Sequence, residues 1–262
     1  MLCPTETTST DNRLLSALPA EELDRLRPGL ETIRLATGQD LHAPGEPISH
    51  IYFPHRGVVS LVSEVPDSRS VEIATVGNEG MVGVAILLGA TTMPSRAFCQ
   101  IPGAASRMAA GTFRTALDVN PVFRALLLRY VLALLNQVAQ TAVCNRVHPI
   151  EQRCARWLLM THDQVNRAPR FPLTQSFLSQ MLGVRRASVS VAASTLQREG
   201  ILRYARGIVT IPDRDALEAA ACPCYGIIRA EFVRRAPRPR ACAGPSAATP
   251  PRRGGRAQDR PR

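Results

Sequence analysis

The hydrophobic pattern changes along the chain from helical spacing to short strand-like runs and then to a long helix. Apolar residues first follow a helical spacing from Leu14 to Leu26, interrupted by Pro19. Short apolar runs separated by glycine and proline come next. Many short strands with such turns favour a sandwich or barrel over an alternating α/β sheet. The predicted strands are residues 51–53, 58–65, 71–76, 97–101 and 106–108.

A long helix is predicted after residue 119. Asn120 is a good N-cap, Pro121 suits the first helical position, and apolar residues then recur every three or four positions. Leucines occupy more than one face, so the helix needs two partners. One is its own β domain; the other is either more of the same core or the same helix of a second subunit, packed as a coiled coil. The residues predicted to face a second subunit are Leu127, Val131, Leu134 and Val138.

The segment Leu173–Gly200 carries the most specific pattern. With Gln175 as the first position of a helix-turn-helix, small and apolar residues fall where the motif needs burial, and Gly183 stands in the turn, where φ is positive. Thr174 can cap the first helix. A hairpin with Gly207 in its turn follows, which makes the unit a winged helix; a helical hairpin beside an unrelated β-hairpin is the alternative.

The two faces of the second helix assign the predicted DNA contacts. At about 100° per residue, Val189, Ala192, Ala193 and Leu196 turn inward. Arg186, at the helix start, suits bidentate contact with guanine, whereas Arg185 is either a contact or an ordinary surface arginine. The predicted DNA-binding residues are Thr174, Gln175 and Arg206 on phosphates, and Arg185, Arg186, Ala187, Ser190, Val191 and Ser194 on the helix that enters the groove.

Charge is distributed unevenly along the 262 residues. All 32 basic residues are arginine, and the formal net charge is −1 for residues 1–148, +4 for residues 149–232 and +8 for residues 233–262. The last segment is rich in Arg and Pro and has few large apolar side chains, so we expect it to be disordered. It either attracts phosphate non-specifically or is a solvated tail.

These features together resemble the cAMP receptor protein/FNR (Crp/Fnr) superfamily of bacterial transcription regulators. The resemblance covers residues 12–225 and rests on the stretches LLSALPAEELDRL, GQDLHAPGEPISHIYFPHRGVVSLV, GNEGMVGVAILLG and IEQRCARWLL, and on the helix-turn-helix. It implies an α+β fold with a cyclic-nucleotide-binding-like β-roll, a long dimerisation helix and a winged helix-turn-helix. The corresponding ranges are 12–118, 119–148 and 149–226, followed by the tail at 233–262.

The resemblance further implies a cytoplasmic homodimer that binds a two-fold symmetric promoter site and works with RNA polymerase. Departures from the family pattern argue against cAMP as the signal. Val84 stands where nucleotide-binding members carry a glutamate after the glycine that Gly83 matches, and Ser95-Arg96 reverses their Arg-Ser/Thr pair. The effector is therefore left open, with Gly77, Gly83, Val84, Ser95 and Arg96 as candidate pocket residues.

No cofactor, metal ligand or catalytic residue is predicted. Only Cys3 lies where an N-terminal iron–sulfur cluster would need several thiolates, and Cys222-Pro223-Cys224 is shorter than the usual metal-binding spacing. No apolar run is expected to span a bilayer. An alternative function is a cupin-like small-molecule or metal-binding enzyme built on the β-roll, for which Glu46, His50 and His55 are the candidate ligands. A third is a dimerisation module whose winged helix contacts protein.

Overall fold

The computed structural model describes residues 11–65 and 69–235, with only the backbone described at Val65 and Arg69. Its first part is a β-roll with two short helices in front. The helices are α1 (Arg13–Ser16) and α2 (Ala20–Leu26), and the strands are β1 (Glu31–Leu35), β2 (Asp40–His42), β3 (His50–Val65), β4 (Arg69–Val76) and β5 (Arg96–Ala109). The order in the sheet is β1-β5-β3-β4, with β2 also on β5.

β3 and β5 each combine two of the predicted strands; β5 combines those at residues 97–101 and 106–108. β3 joins the segments predicted at 51–53 and 58–65, and its pairing with β5 shifts register between Pro54 and Val59. Gly57 takes a φ of 93° at this irregularity, and a Cβ added to Gly103 on β5 would lie 1.9 Å from the Arg56 carbonyl oxygen. Glycine therefore permits β-bulges here rather than ending the strands, which is why the sequence prediction divided them.

The remaining elements are helices and a small sheet. The elements are α3 (Val84–Leu87), α4 (Ala110–Val119), α5 (Pro121–Val147), α6 (Ile150–Gln164), β6 (Arg170–Pro172), α7 (Gln175–Leu182), α8 (Arg186–Arg198), β7 (Arg203–Ala205), β8 (Ile208–Thr210), α9 (Arg214–Ala220) and α10 (Cys224–Arg235). Of these, α3 lies between β4 and β5 and belongs to the β-roll core. Neither α9 nor α10 was predicted. The predicted tail begins too early, because Val233–Arg235 are the last residues of α10; the rest of it lies outside the described residues.

The long helix α5 begins as predicted. The Asn120 side chain accepts a hydrogen bond from the Phe123 N–H at 2.8 Å, and Pro121 is the first helical residue. Within the described part of the chain, α5 is the one helix long and apolar enough to cross a membrane, which corrects the expectation that no segment is. Its buried face, however, joins the hydrophobic core of the β-roll.

Candidate nucleic-acid interface

Helices α7 and α8 form the predicted helix-turn-helix. Thr174 has an extended backbone, and its side chain accepts the Phe177 N–H at 3.1 Å, as expected for an N-cap. Gly183 ends α7 with a φ of 64°, in the left-handed region that suits glycine. The turn is three residues long, and α8 begins at Arg186. The local sequence signals for this motif are confirmed.

The inward face of α8 is the predicted one. Val189, Ala192, Ala193 and Leu196 are all 3 % exposed or less. Val189, Ala192 and Leu196 share a core cluster with Leu178 and other side chains of the winged helix. Burial of this stripe leaves the opposite side of α8 facing outward.

The outward face of α8 is accessible along its length. Ala187, Val191, Ser194 and Arg198 are exposed, and the apolar Val191 is 61 % exposed. Ser190 is less free than predicted, because its hydroxyl donates to Oε1 of Gln175 at 2.7 Å. That bond ties the middle of α8 to the first residue of α7.

Two arginines stand at the N-terminus of α8. Arg185 is the N-cap residue, with an extended backbone, and Arg186 is the first helical residue. Both are exposed, and among residues 11–65 and 69–235 neither makes an ion pair with a carboxylate. Their guanidinium groups can therefore bind an external anion or a base edge without first breaking an internal pair.

The wing is a three-stranded sheet in the order β6-β8-β7. Arg206 and Gly207 form the turn between β7 and β8, with φ values of 49° and 75°, which is the two-residue turn that matches strand twist. The Leu173 N–H donates to the Gly207 carbonyl at 2.8 Å, and a Cβ at Gly207 would lie 3.8 Å from Cγ2 of Thr174. The wing turn thus lies beside the start of α7.

The winged helix packs directly on the β-roll, a contact that the sequence did not reveal. Val58, Val62 and Phe98 of the β-roll share a core cluster with Trp157 of α6. The Gln180 amide also donates to the Ser70 hydroxyl on β4. This docking sets the orientation of α8 relative to the β-roll.

Glu72 of β4 lies buried at the centre of this contact. Trp157 Nε1 donates to its Oε1 at 2.6 Å, and the Ser60 hydroxyl donates to its Oε2 at 2.8 Å. Burial raises the pKa of Glu72 to about 7, although both hydrogen bonds and the nearby charge of Arg156 oppose the shift. The interface therefore contains a carboxyl group that titrates near neutral pH.

None of the candidate effector residues lines any of three cavities in the described part of the chain. Val84 is buried in α3, and Arg96 Nε donates to Asp40 Oδ1 at 2.6 Å while its guanidinium lies 4.7 Å from the centre of the Phe98 ring. Ser95 is buried, and its hydroxyl has no hydrogen-bond partner in the described part of the chain. The two glycines have different surroundings: a Cβ at Gly77 would meet Gln164 and Glu79, and one at Gly83 would meet Ile51, His50 and Ile48.

A cavity of about 390 Å³ opens at a different place, between the β-roll, α6 and α10. Sequence reasoning missed it because its walls come from segments that are distant in the chain. Charged residues of both signs contribute to it. The charged lining residues are Arg13, Glu79, Asp163, Arg167 and Arg229.

The β-roll of the same chain buries two of the four residues predicted to face a second subunit, and it partly buries the other two. Leu127 is 0 % exposed and Leu134 is 6 % exposed, and Val131 and Val138 pack partly buried against the same β-roll core. An exposed apolar face of α5 lies about 100° around the helix from these residues. We call it the α5 stripe; it consists of Ala125, Leu128, Leu132, Leu135, Ala139 and Ala142, which follow the a and d positions of a heptad repeat.

The ligands suggested for a cupin-like site do not come together. Among the described residues, one group of three or more His, Cys, Asp or Glu side chains has metal-binding geometry, and it contains none of Glu46, His50 and His55. That group is Cys144, His148, Cys222 and Cys224. The sequence analysis assigned no metal ligand, and only the packing of α10 on α5 brings these four together.

Comparisons with known proteins agree with this architecture. A family model of the cyclic nucleotide-binding domain matches residues 32–120, and a model of the Crp-like helix-turn-helix domain matches residues 152–220. No curated protein matches the chain.

Solved structures with the same fold cover most of the chain. A CRP-family transcriptional regulator from Thermus thermophilus has 22 % identity and a TM-score of 0.62, and the match covers 72 % of this chain and 96 % of that one. FixK2 from Bradyrhizobium japonicum has 16 % identity and a TM-score of 0.61, with 74 % and 98 % covered. The c-di-GMP-responsive regulator CLP from Xanthomonas campestris has 18 % identity and a TM-score of 0.58, with 74 % and 99 % covered.

Proposed function

We propose that this chain, which belongs to the Crp/Fnr family of transcription regulators, binds a two-fold symmetric promoter site as a cytoplasmic homodimer. The observation that carries the proposal is the N-terminus of α8, where two exposed arginines have no internal carboxylate partner among the described residues. The helix behind them is anchored by a fully buried inward face. A helix presented in this way can enter the major groove.

The contacts divide into those that read sequence and those that position the domain. Arg186 is assigned to guanine O6 and N7, and Arg185 to a neighbouring base or phosphate. Ala187 and Val191 offer apolar contact to thymine methyl groups. Ser194 offers a hydroxyl, whereas Ser190, which donates to Gln175, offers its oxygen as an acceptor. Thr174, Gln175 and Arg206 surround the start of α7 and are assigned to the phosphate backbone.

The α5 stripe is assigned to the second subunit. Its leucines are exposed although they lie on a helix whose other face is fully packed, and Leu135 is 60 % exposed. Two α5 helices packed through these residues would hold two winged helices at once. A symmetric site would then have half-site centres about 34 Å apart, one turn of DNA.

The signal would act by changing how the winged helix docks on the β-roll. The bond between Trp157 and Glu72 and the contact of α7 with β4 hold α8 in one orientation. A ligand with different affinity for the docked and undocked arrangements would shift the population between them. RNA polymerase is the expected partner at the promoter.

Cyclic AMP is expected not to bind in the micromolar range. Val84 offers no acceptor to a ribose hydroxyl, and Arg96 is held by Asp40 at 2.6 Å rather than available to a phosphate. Calorimetric titration of the full chain with cAMP measures this. Saturable heat at micromolar ligand would contradict the assignment, and Arg96→Ala would then show whether the phosphate is held there.

Selection of random duplexes by the purified protein, followed by sequencing, tests the DNA-binding proposal. We expect two-fold symmetric sites, with affinity that falls linearly on a log–log plot against salt concentration. Recovery of no preferred sequence, together with salt-independent binding, would contradict it and favour a protein-contact role for the winged helix.

Arg186→Ala is expected to relax the preference at one base pair in each half-site, at a cost of about 1–3 kcal/mol for the preferred base. The matched control is Arg198→Ala, which removes the same side chain from the other end of α8. An even loss for Arg186→Ala, measured by titrating single-base operator variants, would make Arg186 a backbone contact.

Arg206→Ala is expected to weaken binding to all sequences evenly and to reduce the salt slope by about one.

A further inference from the structure

Four soft ligands meet where the end of α5 contacts the turn before α10. Cys144 lies in the last turn of α5, and His148 is the C-cap residue that follows the helix. Cys222 lies in the connection from α9, and Cys224 is the first residue of α10. Their four potential ligand atoms all lie within 4.8 Å of one another. The Sγ atoms of Cys144 and Cys222 are 3.5 Å apart, as are Sγ of Cys224 and Nδ1 of His148.

These separations match a tetrahedral site with a single metal ion. Zn²⁺ binds thiolate sulfur at about 2.3 Å and imidazole nitrogen at about 2.0–2.1 Å, which places the ligand atoms of a tetrahedral site with three sulfurs and one nitrogen about 3.5–3.8 Å apart. Two of the pairs are already at that spacing. An iron–sulfur cluster distributes its thiolates over several iron atoms and needs wider spacing than these atoms have.

The surroundings of the cluster favour anionic ligands. The three cysteines are at most 2 % exposed and form a small cluster of their own. Arg153 and Arg156 are also buried, and within the described ranges neither pairs with a carboxylate within 4.0 Å. Their Nε atoms have no hydrogen-bond partner there either. Three thiolates with one divalent ion carry a net charge of −1, which would compensate buried guanidinium charge.

Gln140 supplies a contact outside the four ligands. Its Nε2 donates to Sγ of Cys224 at 3.0 Å, which orients that sulfur. Closer to the N-terminus of α5, Asn136 donates to Glu231 of α10 at 3.1 Å, and Tyr130 packs on Phe232. The cluster is therefore one end of the contact between α5 and α10.

We propose that Cys144, His148, Cys222 and Cys224 bind one Zn²⁺ ion in a structural three-cysteine, one-histidine site that fastens α10 to α5. All four protein positions are filled, so the ion keeps no open site for substrate. The inference does not depend on DNA binding, since it follows from the packing of α10 alone. Metal binding contributes free energy to folding wherever the unfolded chain lacks the site.

Metal analysis of the full chain, purified under reducing conditions without chelator, is the first test. We expect about one zinc per chain. Replacement by Co²⁺ is expected to give the intense visible bands of a tetrahedral ion and a near-ultraviolet thiolate charge-transfer band. Both measurements use the unaltered protein, so they do not depend on whether a variant folds.

Variants then identify the ligands. Cys144→Ala, Cys222→Ala and Cys224→Ala are each expected to lose the stoichiometric metal, and His148→Ala to shift the Co²⁺ bands. The matched control is Cys154→Ala, which removes a buried cysteine of α6 outside the cluster. A Cys3→Ala/Cys242→Ala variant is expected to retain the metal. Gln140→Ala should weaken Zn²⁺ affinity by about 10-fold or more while keeping the stoichiometry.

Three outcomes would overturn the proposal. One is reduced wild-type protein that binds neither Zn²⁺ nor Co²⁺ more tightly than the Cys144→Ala/Cys222→Ala/Cys224→Ala variant does. Another is stoichiometric iron with acid-labile sulfide, which would mean a cluster. The third is a Cys144–Cys222 disulfide, found by mass spectrometry, in protein that takes up no metal after reduction.

Discussion

The double substitution Leu132→Glu/Leu135→Glu is expected to convert the protein to a monomer and to weaken its binding to a symmetric site by about 10²–10⁴-fold. Both leucines belong to the α5 stripe, with exposures of 40 % and 60 %. Burying a leucine side chain contributes about 1.5–3 kcal/mol, and the substitution replaces four such side chains per dimer with charges that repel across the interface.

The weaker DNA binding follows from loss of the link between the two winged helices. In a dimer, the first winged helix to bind holds the second near its own half-site at high effective concentration. A monomer binds each half-site independently and loses that advantage without any change in its contacts to bases. Analytical ultracentrifugation and titration of a symmetric duplex and a single half-site measure the two effects.

The control carries the same chemical change elsewhere. Leu88→Glu/Val119→Glu introduces two glutamates at exposed apolar positions outside α5 and is expected to leave oligomeric state and affinity unchanged. If the α5 variant stays dimeric, the stripe is not the interface. If it becomes monomeric yet keeps full affinity for the symmetric site, the protein reads DNA as a monomer.

Glu72→Gln is expected to remove a pH dependence of stability that amounts to about 3 kcal/mol in the wild-type protein. Burial raises the pKa of Glu72 from 4.5 to about 7 in the folded state. Between these two pH values the folded state holds a proton that the unfolded state has released, so stability falls as pH rises, at up to about 1.4 kcal/mol per pH unit. The stabilisation is complete below about pH 4.5 and lost above about pH 7.

A glutamine side chain reproduces the neutral form at this position. Its carbonyl oxygen can accept the Trp157 N–H, and its amide can donate to the Ser60 oxygen. The single Ser60 hydroxyl hydrogen is then free to be donated to Gln100 Oε1, which lies at 2.7 Å. Above pH 7 the variant is therefore expected to be more stable than the wild type. Near pH 4.5 the free energies of unfolding of the variant and the wild type should differ only by the cost of the substitution itself.

Denaturant unfolding at intervals of pH from 4.5 to 8.5 measures both curves. Glu46→Gln, at an exposed position of the β-roll, is the control and should follow the wild-type curve. Parallel curves for wild type and Glu72→Gln across this range would show that Glu72 does not titrate there. Any pH dependence of the wild-type stability in this range would then have to come from another group.

The helix-turn-helix was predictable because its signals are local. Each signal acts over a few positions: an N-cap threonine at Thr174, a glycine at positive φ at Gly183, and an inward apolar stripe that begins at Val189. All three are observed in the structure. The start of α5 at Asn120 follows the same rule. Interactions between residues a few positions apart depend on the local sequence, so that sequence is enough to predict them.

The faces of α5 were not predictable in this way. Leucines lie on more than one side of the helix, so periodicity indicated two partners without saying which side each one takes. The β-roll decided the matter by burying Leu127 and Leu134, which left Leu132 and Leu135 outside. The choice depends on how the whole sheet packs against the helix, and no short window of sequence contains that information.

The sequence by itself determined the kinds of element and their order, since capping, glycine turns and hydrophobic spacing act over a few residues. Only the tertiary structure decided which side of α5 is free, how β4 holds α7, and that Cys144 meets Cys222. The pairs Glu72 with Trp157 and Cys144 with Cys222 are 85 and 78 residues apart. Such contacts form only when separate elements pack together, because each element alone exposes its side of the pair to water.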